Sequence, residues 1–282
     1  MNASNGLTAA AIKDLTPSGV VRAAINTGNP VLARKAPSGG EPSGVSVEIA
    51  REIGRRLRRP VQLIPYETAG SVVDGLARGE WDVAFLADEP ARADRVVFSS
   101  PYVVIEGIYM VWRDAPFASA DELDRDGIRI AVGLNAAYDL HLTRALKHAE
   151  IIRAPSPSAA LELFYRDRPE AAAGVRQALE IFAAAKTDVR VLPDAFMAIR
   201  QAVASPPGRE AVAPICKTLS RISRRRDGYA PRWTETASMT SQSRRSHQSA
   251  GAGNDPRNHH LDCASRLSDR SLQGADDLQS LF

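Results

Sequence analysis

Trp81-Asp82-Val83-Ala84-Phe85-Leu86-Ala87-Asp88-Glu89-Pro90-Ala91-Arg92, followed shortly by Val96-Val97-Phe98-Ser99-Ser100-Pro101-Tyr102, is the stretch on which the reading of the fold turns. Trp81 to Leu86 is apolar at almost every position, which suits a strand covered on both faces. Upstream, Val61 to Tyr66 reads as a second strand, and Ala69 to Arg78 as a short helix closed by Gly79. Before them lies a helix from Val45 to Leu57. A first strand, Val20 to Asn26, ends in the turn Thr27-Gly28-Asn29-Pro30. Downstream, Pro101 to Trp112 reads as a long apolar strand, and the alternation continues. Ile128–Val132 is a strand, Asn135–His148 a helix, and Ile151-Ile152 the start of a strand. A helix capped by Ser156 or Ser158 runs through Phe164, then come strand Ala171–Val175 and helix Arg176–Ala185. Val189–Leu192 is a strand and Phe196–Val203 a return segment. Strands alternating with helices define an α/β chain.

The 282 residues are 44% hydrophobic, ample for a buried core, and carry a formal net charge of +3. Much of the excess charge sits in Arg55-Arg56-Leu57-Arg58-Arg59 and Arg224-Arg225-Arg226. The first run shares a helix with Ile49, Ile53 and Leu57 at core spacing, so it reads as a solvated face. No aromatic residues interleave with it, which argues against nucleic acid. Cys216 and Cys263 lack any metal-ligand spacing, and a disulfide between them has little support. No metal or cofactor is expected, since the chain carries no phosphate-binding loop, no GxGxxG, no nucleophile elbow and no metal-spaced His/Asp cluster. No segment is long enough to insert in a membrane, and Leu7 to Ile12 is too short for a secretory leader. As written, the chain is expected to stay in the cytoplasm. From Thr234 to His260 it is rich in Ser, Arg, Gln, Asn and Gly, and residues 231–282 are expected to form a disordered or atypical tail. Leu261 to Phe282 holds a marginal amphipathic helix at most.

Gly79 and Asp82, then Arg92, then Phe98-Ser99 with Pro101-Tyr102, resemble the central motif of the type II periplasmic amino-acid-binding proteins. Gly44-Val45-Ser46-Val47-Glu48-Ile49-Ala50 resembles that family's helix start, and Ile128 to Gly133 its strand opening the second lobe. The likeness covers roughly residues 17 to 210. It implies a two-lobed, periplasmic-binding-protein-like type II α/β fold with a ligand cleft between the lobes. Lobe 1 would comprise residues 17–109 plus 196–230, and lobe 2 residues 110–195. The family's role would be capture of a small carboxylate-bearing solute for an ABC permease. A monomer in the periplasm is implied.

The resemblance carries site roles to particular residues. Arg92 would hold the ligand carboxylate, since a guanidinium matches it bidentately; the other reading is a surface arginine paired with Asp88 or Asp94. Ala87 and Asp88 stand where the family has serine or threonine. Asp88 would face away, pair with Arg92 or receive an amino group. Asn26, Gly28 and Asn29 would line the cleft from the first loop, or simply make its turn. Asn135, Ala136 and Tyr138 open a helix whose free N–H groups suit an anion, with packing the other reading of Tyr138. The acid that grips the ligand ammonium would stand near Gly174-Val175-Arg176, where Val175 and Arg176 occur instead. A carboxylate without an amino group, or a second anionic group met by Arg176, is therefore expected.

A non-enzymatic binder is expected. The runner-up is a dehydratase of the same fold acting on a prephenate-like acid, with Glu106 as its one acid in apolar surroundings; the other reading of Glu106 is a lobe-interface acid. His141 and His148 share one helix and read as surface residues, while His247, His259 and His260 fall in the tail. A soluble metabolite sensor and an impaired copy are further alternatives. The family's closing helix is not recognisable after Pro206-Pro207-Gly208-Arg209-Glu210, as an altered reading frame would produce.

Overall fold

The computed structural model of the protein describes residues 9–36 and 39–209. The readings of residues 1–8, the completion of lobe 1 to residue 230, the tail, the two cysteines and the tail histidines lie outside the described residues.

Lobe 1 opens with α1 (Ala9–Leu15), β1 (Val21–Asn26), α2 (Val45–Leu57), β2 (Val61–Tyr66), α3 (Ala69–Ala77) and β3 (Val83–Ala87). β1 lies between β2 and β3, parallel to both. The pleat sends Val83 and Phe85 to one face, with Val21, Ala23 and Ile25, where α2 covers them through Val47, Ala50, Ile53 and Leu57. Ala84 and Leu86 go to the other face, with Val72, Val73 and Trp81. Both faces are thus covered, and all five β3 residues are buried. α3 starts from a capping box in which Thr68 and Ser71 exchange side-chain-to-backbone bonds.

The second lobe repeats the plan with β6 (Arg129–Gly133), α4 (Ala137–Ala145), β7 (Glu150–Ala154), α5 (Pro157–Asp167), β8 (Ala171–Val175) and α6 (Arg176–Ala184). Here β6 lies between β7 and β8, again parallel to both. Ile130, Val132, Ala171 and Ala173 face Tyr138 and Leu142 of α4. Ala131 and Ala172 face Phe164 and Leu179 of α5 and α6. Ser156 is the residue that caps α5, accepting the N–H of Ala159.

Two strands join the halves. β5 (Val103–Trp112) and β9 (Val189–Ser205) pair antiparallel from Val103↔Gln201 to Trp112↔Val189. β9 also pairs with β3 and with β4 (Val97–Phe98), while β5 pairs with β8. One sheet therefore runs β2-β1-β3-β9-β5-β8-β6-β7 through both lobes. The segments read separately as Val189–Leu192 and Phe196–Val203 form this single strand, with irregular register around Gly107, Ile108 and Met110. Pro193, which has no N–H to give, lies within the irregular part.

Each lobe contains an arginine–carboxylate clamp at corresponding strands. In lobe 1 the fully buried Asp82 accepts the backbone N–H of Arg22 (3.1 Å), its Nε (3.0 Å) and Nη2 (2.8 Å), and Nη1 of Arg209 (2.7 Å). In lobe 2 Glu170 accepts the N–H of Arg129 (2.8 Å), its Nε (3.1 Å) and its Nη2 (3.0 Å). The end of the motif is structural as well. Ser99 donates its backbone N–H to the Val203 carbonyl (2.8 Å) and accepts the Val203 N–H on its hydroxyl (3.1 Å), and Tyr102 packs edge-on to Phe85 at 6.1 Å. Removing a partner from a buried charge pair is costly. Asp82→Ala is expected to lose about 3 kcal/mol, and Glu170→Ala, whose side chain is partly exposed, about 1 kcal/mol. Urea unfolding midpoints measure both, and equal midpoints for the two variants would contradict this ranking.

Candidate functional site

β3 ends at Ala87, and Pro90–Arg92 follows as a single 3-10 turn. Pro90 pre-sets the turn, which swings Arg92 back under the strand end. Arg92 is only 3% exposed. Its Nη1 donates to the Ala87 carbonyl (3.2 Å) and its Nη2 reaches across to the Asn135 carbonyl of lobe 2 (2.8 Å). Among the described residues no carboxylate lies within ion-pair distance of it: Asp88 and Asp94 are both exposed, and neither pairs with it. Burial pushes the guanidinium down to about 10, with nearby Glu89 opposing that shift. At neutral pH Arg92 is therefore a buried cation held by two carbonyl dipoles, a state that an anion would stabilise.

Other expected site residues are placed as follows. Asp88 projects into solvent while its N–H donates to the Arg200 carbonyl (2.8 Å). In the first loop, Asn26 Oδ1 accepts the Gly28 N–H (3.1 Å) and Asn29 Oδ1 accepts the Val31 N–H (3.3 Å). Both oxygens thus serve their own turn. Gly28 is required by close approach, since a Cβ there would sit 2.0 Å from the Glu67 carbonyl oxygen.

Asn135 takes a left-handed conformation (φ 58°), which asparagine tolerates better than most residues. This leaves its carbonyl aimed at Arg92. α4 starts at Ala137, two residues later than the sequence suggested, with Ala136 as its N-cap. The start of α4 already has a resident carboxylate. Asp139, 1% exposed, accepts the Asn135 N–H (2.8 Å) and Nε of Arg153 (2.9 Å). Tyr138 is buried in the lobe 2 cluster, where burial pushes its phenol well up, as the packing reading has it. Val175 caps α6. Arg176 is nearly buried: its Nε donates to Glu106, its Nη2 to the Pro193 carbonyl (2.8 Å), and Glu180 lies 3.5 Å from Nη1. Arg176 and Glu106 therefore occupy each other at the crossing strands.

Four residues at the junction were not singled out from sequence. Glu89, 4% exposed, pairs across the lobes with Arg144 of α4. Phe196 packs at a tilt against Tyr109 (4.4 Å between ring centroids) and stacks on His141 (6.0 Å). His141 is thereby half-buried rather than a surface residue, and burial holds it below the usual histidine range. Gly70, in the first turn of α3, closely abuts Asn135 of lobe 2: a Cβ on it would lie 3.0 Å from the Asn135 Cβ. Glu89 had a signal, its place on the same tight turn as Arg92. Arg144 and Gly70 had none, because only the closure of the lobes brings them there. Among the described residues no three His, Cys, Asp or Glu side chains gather as a metal site requires, and no helix is long and apolar enough to cross a membrane.

Two α/β lobes on one continuous sheet, crossed by two strands, with a buried cation at their junction, constitute a two-lobed periplasmic-binding-protein-like fold. Solved structures share it. Holo ArgBP from T. maritima superposes with a TM-score of 0.64 at 18% identity, covering 75% of this chain and 93% of that one. The ancestral amino acid-binding protein AncCDT-1, a precursor of cyclohexadienyl dehydratase, gives 0.64 at 18%, covering 76% and 92%. The periplasmic VFT2 domain of Bordetella pertussis BvgS gives 0.62 at 20%, covering 78% and 94%. The profile of the bacterial extracellular solute-binding proteins, family 3, matches residues 21–205, and the chain belongs to that family. Among curated proteins, the virulence sensor protein BvgS of Bordetella bronchiseptica is 31% identical over 121 residues. The match spans 43% of this chain and only 10% of that much longer protein.

Gly70 sets how closely α3 can approach the loop before α4. Gly70→Val is expected to hold the lobes apart. Spin labels on α2 and α5 would report it as a longer interlobe distance than in the unsubstituted protein. An unchanged distance would show that Gly70 does not limit closure.

Proposed function

We propose that this chain binds a small carboxylate-bearing solute between its lobes, with Arg92 as the anchor, and presents the closed form to an ABC permease. The observation that supports this is the state of Arg92, buried at the lobe junction with carbonyl partners and, among the described residues, no carboxylate within ion-pair distance. A ligand carboxylate would supply the missing counter-charge in the fork geometry that a guanidinium favours. Family membership supports solute capture, and the periplasm is the proposed place of action. Asn26, Gly28, Asn29 and the Asn135–Ala136 segment would contribute loop backbone around the ligand.

A second reading, in which the same cleft is the ligand-sensing module of a receptor, is favoured by the likeness to the BvgS virulence sensors. A dehydratase is less favoured. The acids near the junction, Glu89 and Glu106, are each engaged by an arginine, so neither stands free to reach a substrate.

Calorimetric titration against a panel of organic acids and amino acids tests the anchor. Arg92→Ala is expected to weaken the best ligand by about a hundredfold or more, with unchanged thermal stability or a small gain. Retained affinity would overturn the assignment. The pH dependence has a definite sign. Arg92 titrates lower in the folded protein than in the unfolded chain, so its burial costs stability at neutral pH, and that cost fades as pH rises through about 10. A carboxylate needs the protonated form, so affinity should be level through the neutral range and fall as pH climbs through about 10.

A further inference from the structure

Among the described residues, the acids that could receive a ligand ammonium at the lobe junction are already engaged. Glu89, beside Arg92 on the same turn, is paired with Arg144 from the opposite lobe. Glu106 is paired with Arg176, and Asp139 with Arg153 and the Asn135 N–H. Asp88 stays in water. Glu180, the remaining acid near Arg176, is exposed and 3.5 Å from its guanidinium. The half-buried imidazole of His141 also faces Glu89 and Arg144, and burial favours its neutral form.

The charges then count simply. Arg92 and Arg144 contribute two positive charges and Glu89 one negative. A ligand carrying one carboxylate and no ammonium makes the closed junction neutral. An α-amino acid brings an ammonium with no free acid to meet it, and a buried unpaired ammonium is strongly disfavoured.

Resting on the proposed binding of a carboxylate at Arg92, we propose that the Glu89–Arg144 pair determines specificity, selecting carboxylates that lack an α-ammonium, such as oxo acids, over the matching amino acids. Glu89 has the burial and the position of an ammonium receptor, but Arg144 holds that place. Arg144 is the more dispensable partner: its side chain is 46% exposed, against 5% for Glu89. Removing Arg144 leaves Glu89 a buried carboxylate beside the anchor without its ion-pair partner, which is the receptor an amino acid needs.

The test is calorimetric titration of the full chain with matched pairs: pyruvate against alanine, phenylpyruvate against phenylalanine, oxaloacetate against aspartate. The unsubstituted protein should favour the oxo member of its best pair by about tenfold or more. Arg144→Ala should move that ratio toward the amino acid by about tenfold, and adding Glu89→Gln should cancel the gain. Preference of the unsubstituted protein for an amino acid, weakened by Arg92→Ala, would overturn this inference and leave the carboxylate reading standing. So would an Arg144→Ala ratio that does not move. Binding indifferent to Arg92→Ala would remove the carboxylate reading and this inference with it.

Discussion

The pairing of β5 with β9 is the constraint on which the rest of the structure depends. Both strands run from one lobe into the other, and every other strand takes its place from their outer edges. β3 hangs on β9 and brings the turn carrying Glu89 and Arg92. β8 hangs on β5 and brings Arg176 against Glu106. The junction residues are thus positioned by backbone hydrogen bonds that do not require the lobes to touch. What closure adds is a short set of side-chain and carbonyl contacts, chiefly Arg92 with Asn135 and Glu89 with Arg144.

A division of labour among the arginines follows from their partners. Arg22 and Arg129 occupy corresponding places near the starts of β1 and β6, and each grips an acid just before or at the start of the strand two along. Each pair is internal to a lobe, satisfies the carboxylate several times over, and makes the lobe rigid. Arg92 differs in having only carbonyls. A dipole holds a guanidinium less firmly than a carboxylate does, so its bonds are exchangeable where those of Arg22 are not.

Much of the architecture was legible from the sequence. The continuous apolarity of Trp81 to Leu86, the periodicity of Val45 to Leu57 and the small-residue strand Ala171 to Val175 each carry their answer in local pattern, because burial on two faces or one leaves a distinct spacing. The matched clamps were not legible, since a lone arginine and a distant acid have no period. Arg92 was recoverable because a tight turn places it within a recognisable motif. Glu89 sat three residues away and was passed over in favour of Asp88, since which neighbour of a strand end turns inward is decided by the pleat and the following turn. The length of β9 was obscured by Pro193 and Asp194, which read locally as a break.

The uneven pairing within the crossing ribbon has a consequence for how this protein can change over time. Three steps along β5, from Gly107 to Met110, are matched by six along β9, from Met197 to Val191. The surplus is absorbed at two adjoining irregularities: one extra residue between Gly107 and Ile108, where Phe196 bulges and a Cβ on Gly107 would meet Met197 at 2.7 Å, and two more between Ile108 and Met110. Because side chains alternate with a period of two, losing a single residue there would turn one half of β9 over and expose the face now buried. Insertions and deletions in this ribbon are therefore close to forbidden, and lineages of the protein should diversify by substitution at the junction while keeping the length of the ribbon.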